Sequence, residues 1–312
     1  MVDMSVSIGS VTLAGPVMPA SGTMAEQLAD IIDLSRLPAI VLKTITPDIR
    51  QGTKPPRVAE FSDATLFSIG IPSKGPAYLL DHTIPYYRDY GVPIVASISA
   101  DTAEDFGALA ERISVPEVAA IEANISCPNL RANGQAFGMD VRATAEVIGT
   151  IKTRSDKPIW AKLTPNVGDI ALIAKAAEDA GADALIVGNA ILGMAIDAEA
   201  RRPKLGNVIG GLTGNAVKPI LLRMVSQCAE AVRIPIIGCG GISTGEDVVE
   251  YLLAGAGAVQ MGTVNFTQPS AMLQALNWVE NYCARHEFNC VRELTGALNG
   301  SVEKRAQLQE VL

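Results

Sequence analysis

A cysteine between two asparagines is the feature of the sequence that most strongly suggests chemistry. Asn124-Ile125-Ser126-Cys127-Pro128-Asn129 ends an apolar run and begins a long glycine-containing stretch. Asparagine side chains donate and accept hydrogen bonds, so they suit a planar heterocycle that carries amide N–H and C=O groups. Cys127 could act as a general base there, because nearby cations bring a thiol toward a neutral pKa. The alternative is an inert, small apolar cysteine.

Lys43 and Lys162 are the candidates for those cations. Each lies at the end of a different apolar run, so a fold that gathers the ends of the runs would bring both ammonium groups near the cysteine. The alternative is that each lysine is a solvated surface group, which is the usual state of lysine.

Two glycine motifs late in the chain predict a phosphate site. Gly238-Cys239-Gly240-Gly241 ends one apolar run, and Gly262-Thr263 ends the next. Glycine lets a ligand approach bare backbone N–H groups, and the loops after the last two strands of a barrel commonly bind phosphate. Tight strand–helix packing is the alternative. A dinucleotide fingerprint is disfavoured because Ser243 stands where its third glycine belongs, and the sequence contains no Walker-type Gly-Lys-Ser or Gly-Lys-Thr loop.

The elements that must position these residues are short apolar runs separated by amphipathic stretches. Continuously apolar runs suit strands buried on both faces of a parallel sheet. The predicted strands cover residues 17–21, 39–44, 93–99, 119–126, 158–164, 184–189, 235–240 and 258–263. The predicted helices cover residues 24–35, 102–112, 141–153, 169–180, 216–232, 245–253 and 269–285.

Eight strands with helices between them predict an α/β fold, a (β/α)₈ TIM barrel. A doubly wound sheet has the same local units. The unusual residues favour the barrel, which would bring onto one rim the strand ends that carry Lys43, Ser97, Asn124, Lys162, Asn189, Gly240 and Gly262. Without a visible linker, we expect a single domain over residues 1–312. The long connections 45–75, 127–140 and 190–214 are expected to be active-site loops.

Composition excludes several classes of function. The 312 residues are 48% hydrophobic, and 25 basic against 33 acidic residues give a net charge of −8. That balance disfavours a nucleic-acid partner, and the short apolar stretches disfavour a membrane span. Neither a signal peptide nor a disulfide framework is expected from this sequence, which predicts a cytoplasmic protein. Cys283, His286 and Cys290 lack a fourth ligand for a structural zinc, so we expect no metal.

The motifs together resemble the class 1 dihydroorotate dehydrogenases, and the details are most similar to the catalytic subunit of the NAD-linked (1B) branch. The similar segments follow the family's order over nearly the whole chain. They are Ala20-Ser21-Gly22, Val41-Leu42-Lys43-Thr44, Pro56-Arg57-Val58-Ala59-Glu60, Asn124-Ile125-Ser126-Cys127-Pro128-Asn129, Ala161-Lys162-Leu163-Thr164-Pro165-Asn166, Gly210-Gly211-Leu212-Thr213-Gly214 and Gly238-Cys239-Gly240-Gly241.

The resemblance implies an FMN-binding (β/α)₈ barrel that oxidises dihydroorotate to orotate in pyrimidine biosynthesis. It implies that Cys127 takes the proton from C5 of the substrate while hydride passes from C6 to flavin N5. Lys162 would face the N1 and O2 edge of the flavin, and Lys43 would lie beside both substrate and flavin, as a second catalytic residue. Cysteine at the base position argues against the quinone-linked class, as does the absence of a membrane-associating extension.

The resemblance also implies the binding residues and the partners. Flavin contacts are expected from Ser21, Gly22, Lys43, Thr44, Ser97, Asn124, Lys162, Gly211, Gly240, Gly241, Gly262 and Thr263. Substrate contacts are expected from Lys43, Phe67, Asn124, Asn129, Asn189 and Ala190. The implied partners are a small-molecule substrate, a second copy of the chain in a homodimer, and an electron-transfer subunit that carries FAD and an iron–sulfur cluster.

One loop departs from the family pattern Asn-x-x-Gly-Leu-x-Asn-x-Gly. The chain reads Phe67-Ser68-Ile69-Gly70-Ile71-Pro72-Ser73-Lys74-Gly75, so Phe67 and Ser73 replace the two asparagines. A smaller change is Ser97, where the closest branch carries asparagine. Because the first lost asparagine binds substrate in the family, a second hypothesis keeps FMN and the cysteine but uses another small cyclic amide or unsaturated acid. A third, a non-catalytic flavin-binding scaffold, is disfavoured by the set Lys43, Cys127 and Lys162.

Overall fold

The computed structural model describes residues 2–126 and 136–298. The chain begins with an antiparallel hairpin of β1 (Val6–Ile8) and β2 (Val11–Leu13), in which Val6 pairs with Leu13. Inward-facing apolar side chains of both strands are buried, so the hairpin packs onto the main body of the fold.

Eight parallel strands form the barrel, and consecutive strands are neighbours all the way round. They are β3 (Val17–Pro19), β4 (Ile40–Val41), β7 (Ile94–Ile98), β8 (Val118–Asn124), β9 (Ile159–Leu163), β10 (Ala184–Val187), β15 (Ile236–Cys239) and β16 (Ala258–Met261). The last strand, β16, pairs with the first, β3, and β3 contacts β4. A doubly wound sheet would reverse its strand order, so the predicted (β/α)₈ barrel is confirmed.

Helices cover the outside of the barrel. A continuous helical segment runs from α1 (Gly75–Tyr78) through a π-helical turn (Leu79–Thr83) to α2 (Ile84–Arg88). The others are α3 (Ala103–Ile113), α4 (Val141–Arg154), α5 (Ile170–Asp179), α6 (Lys218–Ala231), α7 (Gly245–Leu253), α8 (Val264–Thr267) and α9 (Ala271–Arg285). Side-chain caps begin several of them, since Thr102, Asp140, Asp169 and Thr244 each accept a backbone N–H of the first turn.

The predicted helix over residues 24–35 is wrong. Two short 3₁₀ turns, Glu26–Asp30 and Leu34–Arg36, occupy that stretch. The Asp33 carboxylate accepts the N–H of Ser35 at 3.0 Å and so begins a new turn at residue 34. A side chain that bonds to nearby backbone in this way competes with a continuous helix. The helical segment over residues 75–88 lies outside every predicted helix.

Within the described residues, the long connections 45–75 and 190–214 contain strands. A second, antiparallel sheet has the order β11-β14-β6-β5, formed by β5 (Val58–Glu60), β6 (Thr65–Phe67), β11 (Ile191–Gly193) and β14 (Gly210–Thr213). A two-stranded hairpin, β12 (Ile196–Asp197) with β13 (Arg202–Pro203), lies in the same connection as β11 and β14. Leu66, Ala195 and Leu205 form a small apolar core of their own, so the connections after β4 and β10 are one folded unit.

The main core fills the barrel and the layer between strands and helices. Trp160 in β9, Phe106 in α3 and Tyr251 in α7 are among its largest fully buried side chains. Over the described residues, no helix is both long enough and apolar enough to cross a membrane.

Candidate active site

The carboxyl ends of the barrel strands hold a connected group of buried polar side chains. Lys162 in β9 donates to Gln260 Oε1 in β16 at 2.9 Å, and its Nζ lies 3.4 Å from Ser21 Oγ, just after β3. Lys162 is 3% exposed and Gln260 is fully buried. Three strands therefore place these groups at the centre of the rim.

The Glu122 carboxylate in β8 contacts both Lys162 and Gln260. Its Oε1 lies 3.6 Å from Lys162 Nζ and accepts from Ser97 Oγ at 2.7 Å, and its Oε2 accepts from Gln260 Nε2 at 2.8 Å. Ser97 Oγ also lies 2.8 Å from Thr44 Oγ1. The sequence interpretation included Ser21, Thr44, Ser97 and Lys162 but missed Glu122 and Gln260.

A sequence signal for Glu122 exists. It is a single charge in an otherwise apolar strand, two residues before Asn124, and residues two apart lie on the same face of a strand. A fully buried carboxylate requires hydrogen-bonding or ionic partners, and a lysine on a neighbouring strand is the obvious choice. Gln260 in the apolar strand β16 is the same kind of signal.

Lys162 is held in its charged form. Burial is the largest single effect and lowers the pKa of Lys162, but Glu122 and Cys239 together raise that pKa by more, so the net pKa lies above the ordinary lysine value. The result is an ammonium group shielded from water at the mouth of the barrel, where it can donate hydrogen bonds to an anionic or electron-rich ligand.

The glycine motifs form a second part of the rim. Gly240 and Gly241 have φ angles of 122° and 68°, which favour glycine, and a Cβ at Gly241 would lie 2.6 Å from the Cβ of Lys218. Tyr251 donates to the Gly240 carbonyl at 2.7 Å. At the end of the next strand, Thr263 lies 3.0 Å from Thr213 between their hydroxyl oxygens, which ties this part of the rim to β14.

Asp247 braces the loop that follows these glycines. Its carboxylate accepts the N–H groups of Ser243 and Thr244, each at 2.8 Å, and pairs with Lys218 Nζ at 2.6 Å. The first turn of α7 is therefore fixed directly beside the loop that the sequence assigns to phosphate.

A chain of amides lies at the ends of β8 and β10. Ser126 donates to Asn124 Oδ1, and Asn189 Nδ2 donates to Ser126 Oγ. Asn166 fixes the next residues, because its Nδ2 donates to the Ala190 carbonyl at 3.1 Å and its Oδ1 accepts the Leu192 N–H at 2.8 Å. The structure thus brings Asn124, Asn189 and Ala190 together and adds Asn166 as their support.

Phe67 lies with two other predicted site residues. It pairs with Gly211 across the antiparallel strands β6 and β14. A Cβ on Gly211 would lie 2.5 Å from the Ala190 Cβ and 3.8 Å from Phe67 Cζ. Gly211 therefore leaves room for Ala190, and the tip of the Phe67 ring lies near the same glycine.

Ser73, the other departure from the family pattern, has a local structural role. It is 6% exposed, and its hydroxyl accepts the N–H groups of Thr46 at 3.0 Å and of Gly75 at 3.1 Å. The serine therefore fixes the end of this loop to the start of the preceding one.

Lys43 follows β4, on the other side of the rim from Asn166, the residue that supports the amide chain. Its side chain is exposed and packs against Gly22, where a Cβ would lie 3.0 Å from Lys43 Cδ. Gly22, Lys43 and Thr44 border a cavity of about 710 Å³ that continues between the barrel wall and the helical segment over residues 75–88, as far as Tyr87. On the same side, a Cβ on Gly262 would lie 3.5 Å from the Cβ of Ala20.

Cys127 and Asn129 lie outside the residues that the structure describes. Among those it does describe, Cys228, Cys239, Cys283 and Cys290 are free thiols. Within the same ranges, no cluster of three or more His, Cys, Asp or Glu side chains could hold a metal ion.

Comparison with known proteins agrees with the sequence resemblance. The sequence profile of the dihydroorotate dehydrogenase family matches residues 3–280. A protein of Bacteroides thetaiotaomicron named dihydroorotate dehydrogenase B (NAD⁺), catalytic subunit, is 43% identical over 301 residues, which cover 96% of this chain and 99% of that protein. A protein of the same name from Desulforamulus reducens is 45% identical over 298 residues, 95% of this chain and 98% of that protein. The chain therefore belongs to the dihydroorotate dehydrogenase family.

Proposed function

We propose that this chain is an FMN-dependent dehydrogenase that oxidises dihydroorotate to orotate in pyrimidine biosynthesis, with Cys127 as the general base. The observation that carries the proposal is the buried ammonium group of Lys162 at the centre of the rim, 2.9 Å from Gln260 and 3.6 Å from Glu122. A permanent positive charge in a water-poor site stabilises negative charge that develops beside it.

The polar groups of the rim fit FMN. Lys162 can donate to an electron-rich ring edge, the Thr44, Thr213 and Thr263 hydroxyls line the same rim, and the loops after β15 and β16 offer glycine backbone to a phosphate. The residues proposed to hold FMN are Ser21, Gly22, Lys43, Thr44, Ser97, Asn124, Lys162, Gly211, Gly240, Gly241, Gly262 and Thr263. When bound, FMN supplies a two-electron acceptor.

The chain's own residues would bind the substrate and move its proton. Asn124 and Asn189, linked through Ser126, present amide groups suited to a pyrimidine, and Asn129 is proposed to join them. Lys43, Phe67 and Ala190 complete the proposed substrate site. The Cys127 thiolate is proposed to remove the C5 proton, and a thiolate requires nearby positive charge to form near neutral pH, which Lys43 and Lys162 would supply.

The position of Phe67 favours a second candidate. Phe67 stands where the family pattern has an asparagine, and its ring lies near Gly211, which borders Ala190. An apolar ring there suits a substrate with a less polar edge than dihydroorotate, such as another small cyclic amide or an unsaturated acid.

An anaerobic titration tests the proposed function. The full chain, loaded with FMN, should lose its visible flavin absorbance when dihydroorotate is added. Cys127→Ser should still bind FMN, but dihydroorotate should reduce the bound FMN at least about 10²-fold more slowly than in the wild type. The matched control is Cys290→Ser, which changes a different, partly exposed thiol.

The rate of flavin reduction should also rise with pH as the Cys127 thiol ionises, since the thiolate is the base. A near-normal rate for Cys127→Ser would refute the role of Cys127. Bleaching by other cyclic amides but not by dihydroorotate would favour the second candidate.

The partners are part of the proposal. Relatives named as the catalytic subunit of an NAD⁺-linked enzyme support an electron-transfer partner for this chain. We propose that this partner carries FAD and an iron–sulfur cluster, and that the chain forms a homodimer.

A further inference from the structure

Glu122 is a fully buried carboxylate whose two oxygens are both occupied. Oε1 accepts from Ser97 and lies beside Lys162, and Oε2 accepts from Gln260. A buried ion pair adds little to stability relative to apolar residues of the same volume. Packing alone therefore gives no reason for a charge at this place in an otherwise apolar strand.

The hydrogen bonds around Glu122 have fixed directions, because an ionised carboxylate only accepts. Ser97 therefore gives its one hydroxyl proton to Glu122. The 2.8 Å contact between Ser97 and Thr44 then requires Thr44 to donate to Ser97. Thr44 Oγ1 is left with lone pairs alone, so toward any ligand it can act only as an acceptor.

The same reasoning fixes Gln260 and Lys162. Gln260 turns its NH₂ group to Glu122, so its carbonyl oxygen faces Lys162 and accepts from the ammonium. Lys162 is thereby a donor in a fixed place. A ligand at this rim meets a donor at Lys162 and an acceptor at Thr44, which matches a ring edge that carries both a C=O or ring nitrogen and an N–H.

We propose that Glu122 is a positioning residue: it holds Lys162 as a charged donor and, through Ser97, holds Thr44 as an acceptor. Lys162 and Thr44 are flavin contacts in the proposed function, so the role of Glu122 in the reaction rests on that proposed function. The arrangement of the protein groups themselves does not depend on the identity of the ligand.

Charged and titratable groups face Lys162 from two other strands of the barrel. Glu122 in β8 is one, and Cys239 in β15 is the other. Burial raises the pKa of the Cys239 thiol, so it is neutral near pH 7 and cannot replace the carboxylate. Ser21 and Gln260 are uncharged. Without Glu122, burial is the largest effect on the pKa of Lys162 and lowers it, while Cys239 raises it to a smaller extent.

Lysine ¹³C NMR of the full chain without FMN tests the inference separately from flavin binding. With ¹³C-labelled lysine, and the Lys162 signal assigned through Lys162→Arg, wild-type Lys162 should remain mostly protonated at about pH 10.4, the ordinary lysine value. In Glu122→Gln the Lys162 titration should fall by about one pH unit or more. Glu178→Gln, which removes a carboxylate 2.8 Å from the exposed Lys175, is the matched control and should leave Lys162 unchanged.

A second variant separates the effect of Glu122 on Lys162 from its effect on Thr44 through Ser97. Ser97→Ala cuts the link to Thr44 but leaves Lys162, Gln260 and Glu122 in contact. It should keep the Lys162 titration and weaken FMN binding by about two- to tenfold, the effect of one lost neutral hydrogen bond. Glu122→Gln loaded with FMN should make the flavin reduction potential vary with pH through the new Lys162 titration, which a merely structural role would not produce.

An unchanged Lys162 titration in Glu122→Gln would overturn the inference. If that variant does not fold, a wild-type Lys162 that titrates below the ordinary lysine value would overturn it as well, and one that titrates above would support it. Failure of the chain to bind FMN would refute the proposed function and leave these measurements standing.

Discussion

Phe67 is the residue at which the proposed substrate site departs most from its family. Its ring lies across from Gly211, which borders Ala190, so it contributes an apolar surface to the proposed substrate site. A polar substrate group placed against that ring loses a hydrogen bond, at about 1–3 kcal/mol for each unsatisfied group.

We therefore predict that Phe67→Asn improves both orotate binding and dihydroorotate turnover by roughly ten- to a hundredfold, the equivalent of that free energy. Orotate affinity and kcat/KM for dihydroorotate measure the effect. Phe61→Asn is the matched control, since Phe61 is 48% exposed between β5 and β6 and should change neither quantity. Wild-type turnover that Phe67→Asn does not improve would refute a role of this ring in specificity.

Single residues were predictable from the sequence only where their type is unusual at a strand end. Lys162 and Asn124 are of that kind, and both lie on the rim in the structure. Glu122 and Gln260 are hidden inside apolar strands, and their partners come from strands far away in the sequence. Glu122 and Gln260 lie on strands that face each other across the closed barrel, and composition and local pattern do not specify which strands face each other.

At the scale of elements, the beginning of α7 connects helix capping to the glycine loop. Thr244 and Asp247 cap each other reciprocally, and Asp247 also accepts the N–H of Ser243 and pairs with Lys218. Burial raises the pKa of Asp247, but the bonds from Lys218, Ser243 and Thr244 lower it by more, so the net pKa lies below the ordinary value.

Asp247→Asn should lower the free energy of unfolding at pH 7 by about 1–2 kcal/mol, the usual cost of a lost cap. Because the folded-state pKa is depressed, the stabilisation by the carboxylate is present above the unfolded-state value and is lost as the pH falls through the folded-state value. The difference between variant and wild type should therefore shrink below about pH 4. Urea unfolding at several pH values measures it.

The matched control is Asp105→Asn at the corresponding position of α3, where the carboxylate accepts the hydroxyl of the capping residue Thr102. Both variants should be destabilised, but Asp247→Asn alone should also weaken FMN binding, since the Asp247 side chain braces the proposed phosphate loop. Equal FMN affinity in the two variants would contradict that coupling.

The elements differ in how far sequence predicted them. Seven of the eight barrel strands lie within the predicted runs, and β8 begins one residue before its run, because burial on both faces leaves a continuous apolar signal. The strands of the second sheet have three or four residues and pair across the connections after β4 and β10. Strands so short carry no periodic pattern of their own, and the pairing of β6 with β14 joins segments about 150 residues apart in the chain, which local pattern does not reveal.

At the scale of the whole molecule, the barrel places its polar groups at one end. The glycine loops after β15 and β16, the ammonium of Lys162 and the amide chain at Asn124 and Asn189 all lie at the carboxyl ends of the strands. The second sheet joins the loops after β4 and β10 over this same end. A barrel built in this way offers one site in which a ring cofactor and a small substrate can lie together.

The last prediction concerns where the electrons go. A cluster of iron and sulfur is held by four thiolates, whereas Cys228, Cys239 and Cys283 are separately buried, and the described ranges contain no group of side chains that could hold a metal. We therefore predict that the purified, FMN-loaded chain oxidises dihydroorotate with an artificial dye as acceptor but does not reduce NAD⁺ at a comparable rate. Adding a partner subunit that carries FAD and an iron–sulfur cluster should restore dihydroorotate-dependent NADH formation, followed by its absorbance. The dye assay is the control for an active site that works. NAD⁺ reduction by the chain alone, at the rate seen with the dye, would show that no partner is required.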